Sequence, residues 1–297
     1  MAKKYRKRKI LAIVIVLLIV AVLYITHHVL PYAIIARHKQ PLTTLPSEIG
    51  LQAEATSFKI NDSLHLKGYW IMPDKNPPKS IMLLLHGIGG GKEHFYDLAK
   101  SLAQQQVASV VYDARGHGES DGQYISYGFY EKQDVSIIVT EVKKRYPDIP
   151  IGIWGNSMGG AIALQALSIE PRLDFGVIES TFTDLNTIVY EYQKRYTLGL
   201  GLKPICEHAL KRAGEIGKFD PKQVRPIDAV KNITQSIFLA HGTDDPNINF
   251  KYGQALYKNL KSEDKTFYPV EGANHYNLFD VGGDAYTNAI MTFINRQ

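Results

Sequence analysis

The sequence predicts an α/β fold: a doubly wound, mostly parallel sheet of eight strands with a helical insertion, preceded by an N-terminal transmembrane helix. Three observations predict this fold. Short apolar runs alternate with helical stretches along most of the chain. Several of the runs are apolar throughout, as strands covered on both faces are. The 297 residues, 45% hydrophobic and 21% charged, are enough for one large or two small domains.

The N-terminus predicts a membrane anchor. Residues 1–9 form a basic tail, and residues 10–30 form an apolar run long enough for a span of about 20 residues. An uncleaved signal anchor is favoured over a cleaved signal peptide, because the apolar core is long and "AIIARH" lacks A-x-A spacing. A buried core helix is disfavoured by the adjacent charges. The basic tail should stay cytoplasmic, which places the rest of the chain outside the cytoplasm.

The charge distribution argues against a nucleic-acid partner. Six basic residues lie in the first nine positions: Lys3, Lys4, Arg6, Lys7, Arg8 and Lys9. Removing them from the total of +5 leaves −1 for residues 10–297. The body shows no basic stripe interleaved with aromatic residues. Cys206 is the single cysteine, which excludes an internal disulfide and a multi-cysteine metal site.

The elements follow in order. Residues 31–54 contain two prolines and predict a linker, and residues 55–297 form the main domain. A hairpin, "ATSFKI" and "LHLKGYWIMP", opens it around the turn "NDS". Six more strands are predicted at 80–87, 107–113, 149–155, 174–180, 236–242 and 265–270. Helices are predicted at "HFYDLAKSLAQQQ", "YEKQDVSIIVTEVKKRY", "GGAIALQAL" and the terminal "AYTNAIMTFINRQ".

Residues 181–235 interrupt the alternation of strands and helices. They hold no clear strand, and "TDLNTIVYEYQKRY" and "KPICEHALKRAGEIG" predict helices. The segment could form a cap over the strand ends, or it could pack on the edge of the sheet. The sequence leaves both arrangements open.

A serine stands where a buried strand is predicted to turn into a helix. "GNSMG", residues 155–159, fits G-x-S-x-G, the pattern that exposes a nucleophilic serine on a tight turn. The motif is short enough to arise by chance, and a plain strand-to-helix turn is the alternative. Its position between an apolar strand and a helix of small residues favours Ser157 as a nucleophile.

Three other stretches directly follow predicted strands, at the sheet edge where ligands bind. "LLLHGIGGG", residues 83–91, can aim a backbone amide, that of Ile88, at an oxyanion also held by Met158. A phosphate loop is the alternative, but Walker A spacing fails because Glu93 follows Lys92. "AHGTDDPNI" offers Asp244 or Asp245, each of which could instead be a turn or cap residue. "EGANHYNLF" contributes His275.

With these stretches the chain resembles the α/β-hydrolase superfamily, in particular abhydrolase-domain serine hydrolases. The resemblance covers about residues 80–280 and includes "VVYDARGHGESDG" and the chain order Ser157, Asp245, His275. The family pattern H-G-x-x-D selects Asp245 over Asp244. The family's D-x-R-G-H-G-x-S loop, at 113–120, is structural, so His117 is not expected to be catalytic.

The resemblance implies a membrane-anchored serine hydrolase that cleaves an ester, thioester or amide acyl bond through a Ser157, Asp245 and His275 triad and an acyl-enzyme. The amides of Ile88 and Met158 would form the oxyanion hole, and no metal or organic cofactor is expected. The expected partners are the membrane and a small-molecule or lipid-like acyl substrate. Three alternatives stay open: acyl transfer on the same triad, a non-catalytic binding module, and a structural membrane protein.

Overall fold

The computed structural model describes residues 2–197 and 199–297. Met1, in the predicted basic tail, and Leu198, in the predicted insertion, lie outside the described residues. The described strands are β1 Ala53–Asn61, β2 Leu64–Ile71, β3 Ser80–Leu85, β4 Val107–Tyr112, β5 Ile151–Asn156, β6 Phe175–Glu179, β7 Ser236–Gly242 and β8 Lys265–Val270. They form one sheet in the order β1-β2-β4-β3-β5-β6-β7-β8.

Strand β2 pairs antiparallel with β1 and β4, and the remaining neighbours pair parallel. The predicted fold is therefore confirmed. Strands β3 and β4 are buried at every position, as their mostly apolar sequences indicate. The outer strand β1 is mostly exposed and carries charged residues, which is common on a sheet edge.

Helices cover both faces of the sheet. The described helices are α1 Ala2–Tyr24, α2 Leu30–Ile34, α3 Tyr96–Gln104, α4 Glu131–Arg145, α5 Met158–Leu167, α6 Leu185–Tyr196, α7 Lys203–Gly217, α8 Pro226–Ala229, α9 Lys251–Asn259 and α10 Leu278–Asn295, of which α1 does not contact the sheet. One core cluster joins the sheet to α4, α5 and α9, and a second joins its other face to α3 and α10. This two-sided cover is what a doubly wound sheet requires.

The N-terminal segment forms one long helix from α1 through a π-helical turn, Ile25–Val29, to α2. Lys4–Ile34 is long and apolar enough to cross a membrane, and its apolar stretch is almost wholly exposed. Such a helix near an N-terminus also fits a signal sequence. Its last turns contact the domain, since Nδ1 of His27 lies 3.0 Å from Nε2 of His208 on α7.

The predicted linker, residues 31–54, begins within α2 and then packs in part against the domain. Ile35 is fully buried, and Leu51 packs in the second core cluster. His38 pairs through its backbone with residues 116 and 118, and β1 begins at Ala53, two residues before the predicted domain start. The two prolines indicate irregular backbone, but they do not reveal that its apolar side chains are buried.

The predicted insertion forms α6, α7 and α8 between β6 and β7. Nη1 of Arg195, at the end of α6, donates a 2.7 Å hydrogen bond to Oδ1 of Asn247, in the loop after β7. Helix α6 therefore reaches the carboxyl ends of the strands. Helix α7 packs between α6 and helix α2, at the end of the apolar N-terminal helix.

Candidate active site

Ser157 occupies a strained turn between β5 and α5. Its backbone has φ 56° and ψ −116°, a conformation that costs a residue other than glycine about 1–3 kcal/mol. Two hydrogen bonds hold it there: the Ser157 amide donates to the Glu179 carbonyl over 2.9 Å, and the Thr181 hydroxyl donates to the Ser157 carbonyl over 2.7 Å. The turn projects the serine beyond the carboxyl end of a central strand.

The glycines around Ser157 are explained by close backbone contacts. A Cβ on Gly155 would lie 2.2 Å from the carbonyl oxygen of Gly159, and a Cβ on Gly159 would lie 2.0 Å from that of Leu85. Both distances are far below van der Waals contact. Helix α5 can approach β3 and β5 this closely only because these positions lack side chains.

The three predicted side chains lie together. The Ser157 hydroxyl is 3.0 Å from Nε2 of His275, and Nδ1 of the same ring is 2.7 Å from Oδ2 of Asp245. All three residues are buried, with 5% to 7% of their surface exposed. They come from the loops after β5, β7 and β8, which the sheet order brings to one edge.

Asp245 is held in a single orientation. Its Oδ1 accepts hydrogen bonds from the amides of Asn247 at 2.7 Å and Ile248 at 2.8 Å, which leaves Oδ2 for His275. Burial would raise the pKa of this carboxyl, but the neighbouring His241 ring, with Nε2 3.5 Å from Oδ2, and the hydrogen bond to His275 outweigh it and hold the pKa well below its usual range. Asp245 is therefore a carboxylate at neutral pH.

The other aspartate that the sequence offered, Asp244, is exposed. One carboxylate oxygen of Asp244 lies 3.4 Å from the Thr243 hydroxyl, and its amide donates to the carbonyl of Ala273. This arrangement is that of a turn residue, and it leaves Asp245 as the acid beside the imidazole.

The two predicted oxyanion-hole amides are free. Within residues 2–197 and 199–297, the backbone N–H groups of Ile88 and Met158 donate to no protein acceptor. The loop that carries Ile88 lies against the serine, because a Cβ on Gly87 would come within 3.3 Å of the Ser157 Cβ. Met158 directly follows the serine at the start of α5. Unpaired amides beside a nucleophile can stabilise a developing oxyanion.

His117 is buried in the loop after β4, beneath the glycine-rich loop after β3. Burial lowers its pKa to about 3, so the ring is neutral. Its Nδ1 donates to the carbonyl of Arg115 over 3.1 Å, and its Nε2 accepts a 3.4 Å hydrogen bond from the Gly89 amide. His117 thus connects two loops, as expected for a residue without a catalytic role.

A cavity of about 560 Å³ opens beside Asp245, between α6 and the loop after β7. A larger groove, of about 1190 Å³, runs along α6 and α7. Ser157 is not among the described residues that line either one. With only 7% of its surface exposed, Ser157 is buried beneath neighbouring loops and does not open directly onto either cavity.

Sequence reasoning missed the residues that support this centre. Thr181 and the backbone of Glu179 hold the strained turn from β6. In the predicted linker, the His38 ring stacks on His117, and Gln40 donates to the Gly89 carbonyl of the glycine-rich loop. No local pattern marks these residues, because each acts on a segment far away in the chain.

A family model described as "Serine aminopeptidase, S33" matches residues 76–208. The matched stretch runs from just before β3 into α7. It includes Ser157 but neither Asp245 nor His275.

Two curated relatives are lipases. The chain is 25% identical to human monoglyceride lipase over 238 residues, which cover 70% of this chain and 78% of the relative. It is 28% identical to the lysophosphatidylserine lipase ABHD12 of Bos taurus over 201 residues, which cover 63% of this chain but only 46% of that relative. The match thus spans less than half of the ABHD12 chain.

Among solved structures, the Pyrococcus furiosus esterase PF2001 superposes with a TM-score of 0.73 at 21% identity. The superposition covers 88% of this chain and 97% of the esterase. At this identity the likeness establishes the fold.

Proposed function

Since this chain is an α/β-hydrolase, and a serine hydrolase of the esterase and lipase type, we propose that Ser157, His275 and Asp245 form its catalytic triad. The observation that carries the proposal is the unbroken chain of hydrogen bonds from the Ser157 hydroxyl through both ring nitrogens of His275 to Asp245. A serine hydroxyl is a poor nucleophile at neutral pH and needs such a base.

The geometry supports acyl transfer through a covalent intermediate. Nε2 of His275 takes the hydroxyl proton as Ser157 attacks the acyl carbon, and it then delivers that proton to the leaving group. Asp245 holds the ring orientation and stabilises the imidazolium. Water, activated by the same ring, then cleaves the acyl-enzyme and regenerates the serine.

The free amides of Ile88 and Met158 supply the remaining part of the mechanism. As the acyl carbon becomes tetrahedral, its oxygen gains negative charge, and two unpaired N–H groups beside Ser157 can stabilise it. Loss of one such donor typically raises the barrier by about 3–4 kcal/mol. These amides need no reorganisation, because no protein group in the described part of the chain competes for them.

We propose a lipid-like acyl ester as the substrate class. Two relatives are lipases for monoglycerides and lysophosphatidylserine. A lipid substrate also fits a hydrolase domain held at a membrane surface. The apolar helix Lys4–Ile34, preceded by basic residues, supports a single-pass anchor with a cytoplasmic N-terminus and an extracytoplasmic hydrolase domain.

Labelling with a fluorophosphonate probe tests the nucleophile. The full-length wild-type protein should label, and Ser157→Ala should not. Ser168→Ala, at the end of the same helix, is the matched control and should label like wild type. Absence of labelling in wild type, or equal labelling of Ser157→Ala, would rule out the proposed mechanism.

The substrate class needs a separate comparison. Monoacylglycerols, lysophospholipids and p-nitrophenyl esters of graded chain length should be hydrolysed in detergent micelles, with kcat/KM rising from short to long acyl chains. A preference for acetyl esters, or for aminoacyl amides, would contradict a lipid-like substrate while leaving the triad assignment intact.

A further inference from the structure

The segment that follows the membrane helix, residues 37–43, lies directly on the loop that carries Ile88. We propose that this juxtamembrane strap positions the oxyanion hole, with His38 as its main positioning residue and Gln40 as a secondary one. The inference rests on the proposed function, because it assigns a role within the same site.

The peptide that bears the Ile88 amide is oriented by its own carbonyl, that of Gly87. This oxygen accepts hydrogen bonds from Nδ1 of His86 at 2.8 Å and from the Gly90 amide at 3.1 Å. In a planar trans peptide the carbonyl and the following N–H point in opposite directions. Fixing the Gly87 carbonyl therefore fixes the direction of the Ile88 N–H.

Two buried histidines connect this loop to the loop after β4. Nε2 of His86 accepts a 3.0 Å hydrogen bond from the Ala114 amide, and Nε2 of His117 accepts one from the Gly89 amide. The two rings touch, with centroids 4.8 Å apart. Each loop thus contributes a ring that accepts from the backbone of the other loop, and a shift of either loop moves the Ile88 peptide.

His38 packs on the second of these histidines, His117. Its ring stacks on His117 with centroids 5.2 Å apart and an angle of 19° between the planes. Its amide donates to the Gly116 carbonyl over 2.7 Å, and its carbonyl accepts from Gly118 over 3.1 Å. The same ring lies close to Gly89, with its Nδ1 3.8 Å from where a Cβ on Gly89 would stand. His38 therefore packs on the loop after β4 and lies beside the glycine-rich loop.

The rest of the strap strengthens the attachment. Nε2 of Gln40 donates to the Gly89 carbonyl over 3.2 Å, so Gly89 is held on both sides of its backbone. The amide and hydroxyl of Thr43 each donate to the Glu93 carboxylate over 2.6 Å. Upstream, the fully buried Ile35 ties the strap to the core. The strap thus connects the membrane helix to the loop that carries Ile88, and it is held against the domain by these contacts.

His38→Ala in the full-length protein tests the inference. Turnover is expressed per active site titrated with the fluorophosphonate, so that unfolded protein does not count. We expect kcat to fall about threefold to tenfold, the effect of losing one aromatic stacking contact, while KM changes less than twofold. Affinity for an alkyl trifluoromethyl ketone, whose adduct with the serine carries an oxyanion, should fall by the same factor as kcat/KM.

His38→Phe keeps a planar ring for stacking and should restore kcat to within twofold of wild type. Gln40→Glu replaces the donor to Gly89 with an acceptor at an exposed position, and it should lower kcat about twofold to threefold. Gln52→Glu is the matched control, because Gln52 is also exposed and has no side-chain hydrogen bond within the described chain. We expect it to behave like wild type.

If kcat and ketone affinity in His38→Ala and Gln40→Glu both stay within experimental error of wild type, the strap has no positioning role and the inference is wrong. A lower melting temperature with normal turnover per titrated site would contradict it equally, because the strap would then only stabilise the fold. Failure of the triad assignment is distinct: Ser157→Ala would then keep its labelling and activity.

Discussion

Asp244 and Asp245 are adjacent carboxylates with opposite surroundings. Asp244 is exposed, whereas Asp245 is buried and uses both oxygens, one for two backbone amides and one for His275. The two amide hydrogen bonds to Oδ1 fix the Asp245 side chain within the turn. As a result Asp245, and not Asp244, faces the imidazole ring of His275. Chemical identity does not distinguish the two residues, but their position in the turn does.

We expect Asp245→Asn to lower kcat by about 10³- to 10⁴-fold, because a neutral amide neither stabilises the imidazolium nor selects the ring tautomer. Asp244→Asn should stay within twofold of wild type. Steady-state kinetics of both variants on one long-chain ester give the comparison. Equal losses in the two variants, or a larger loss in Asp244→Asn, would mean that the acid has been misassigned.

The effect of Asp245→Asn on the stability of the fold should depend on pH. Because the folded pKa of Asp245 lies below its unfolded value of about 3.9, the ionised carboxylate stabilises the fold above that pH. This contribution is lost as the pH falls through the folded pKa. Urea unfolding should therefore show Asp245→Asn less stable than wild type at pH 7, with the gap narrowing only below about pH 4.

At the scale of elements, the unit formed by β5, the Ser157 turn and α5 sets the geometry of the site. The strand is apolar because it is covered on both faces, and the helix is made of small residues because it lies against the backbone of β3 and β5. Packing density here leaves no space for an added methyl group. The strain at Ser157 is maintained by this packing and by hydrogen bonds from β6.

Gly159→Ala should destabilise the fold by about 3 kcal/mol or more, because its methyl group would overlap the Leu85 carbonyl and backbone would have to move. Gly272→Ala is the control. It introduces only the strain of a positive φ of 74°, with no atom within 4 Å of the new Cβ, and should cost about 1 kcal/mol. Denaturant unfolding measures the free energy of unfolding of both variants. Equal losses of stability would show that the close contact of α5 with β3 does not restrict position 159.

At the scale of the whole molecule, the apolar N-terminal helix and the hydrolase domain form one connected structure. Helix α7 of the insertion contacts α2, the His27 and His208 rings meet, and the strap continues onto the catalytic loop. A single-pass anchor of this kind would hold the active site close to the membrane surface. It would also fix which side of the membrane the domain occupies.

Reporter fusions test this topology. Alkaline phosphatase fused at the C-terminus should be active in a bacterial host, because the basic tail is retained in the cytoplasm. The same reporter fused after Lys9, before the apolar run, should be inactive. Replacing the six basic residues of the tail with glutamine should reduce the active fraction. A fluorescent cytoplasmic signal from a C-terminal green fluorescent protein would reverse the proposed orientation.

Local sequence patterns predict the alternation of strands and helices, the long apolar N-terminal helix and the motifs that follow the strands. These are local properties, because burial on both faces of a strand and the length of a membrane span are recorded in neighbouring residues. For the same reason Ser157 and His275 could be selected as candidates from the stretches around them.

Which residues meet at the site depends on how the whole chain folds. The sheet order brings Ser157 within 3.0 Å of a ring 118 residues later in the chain, and it leaves the amides of Ile88 and Met158 without partners in the described structure. It also binds the predicted linker to the glycine-rich loop, so that His38 lies on His117. Such contacts depend on how distant segments pack, and no period or motif in the chain encodes them locally.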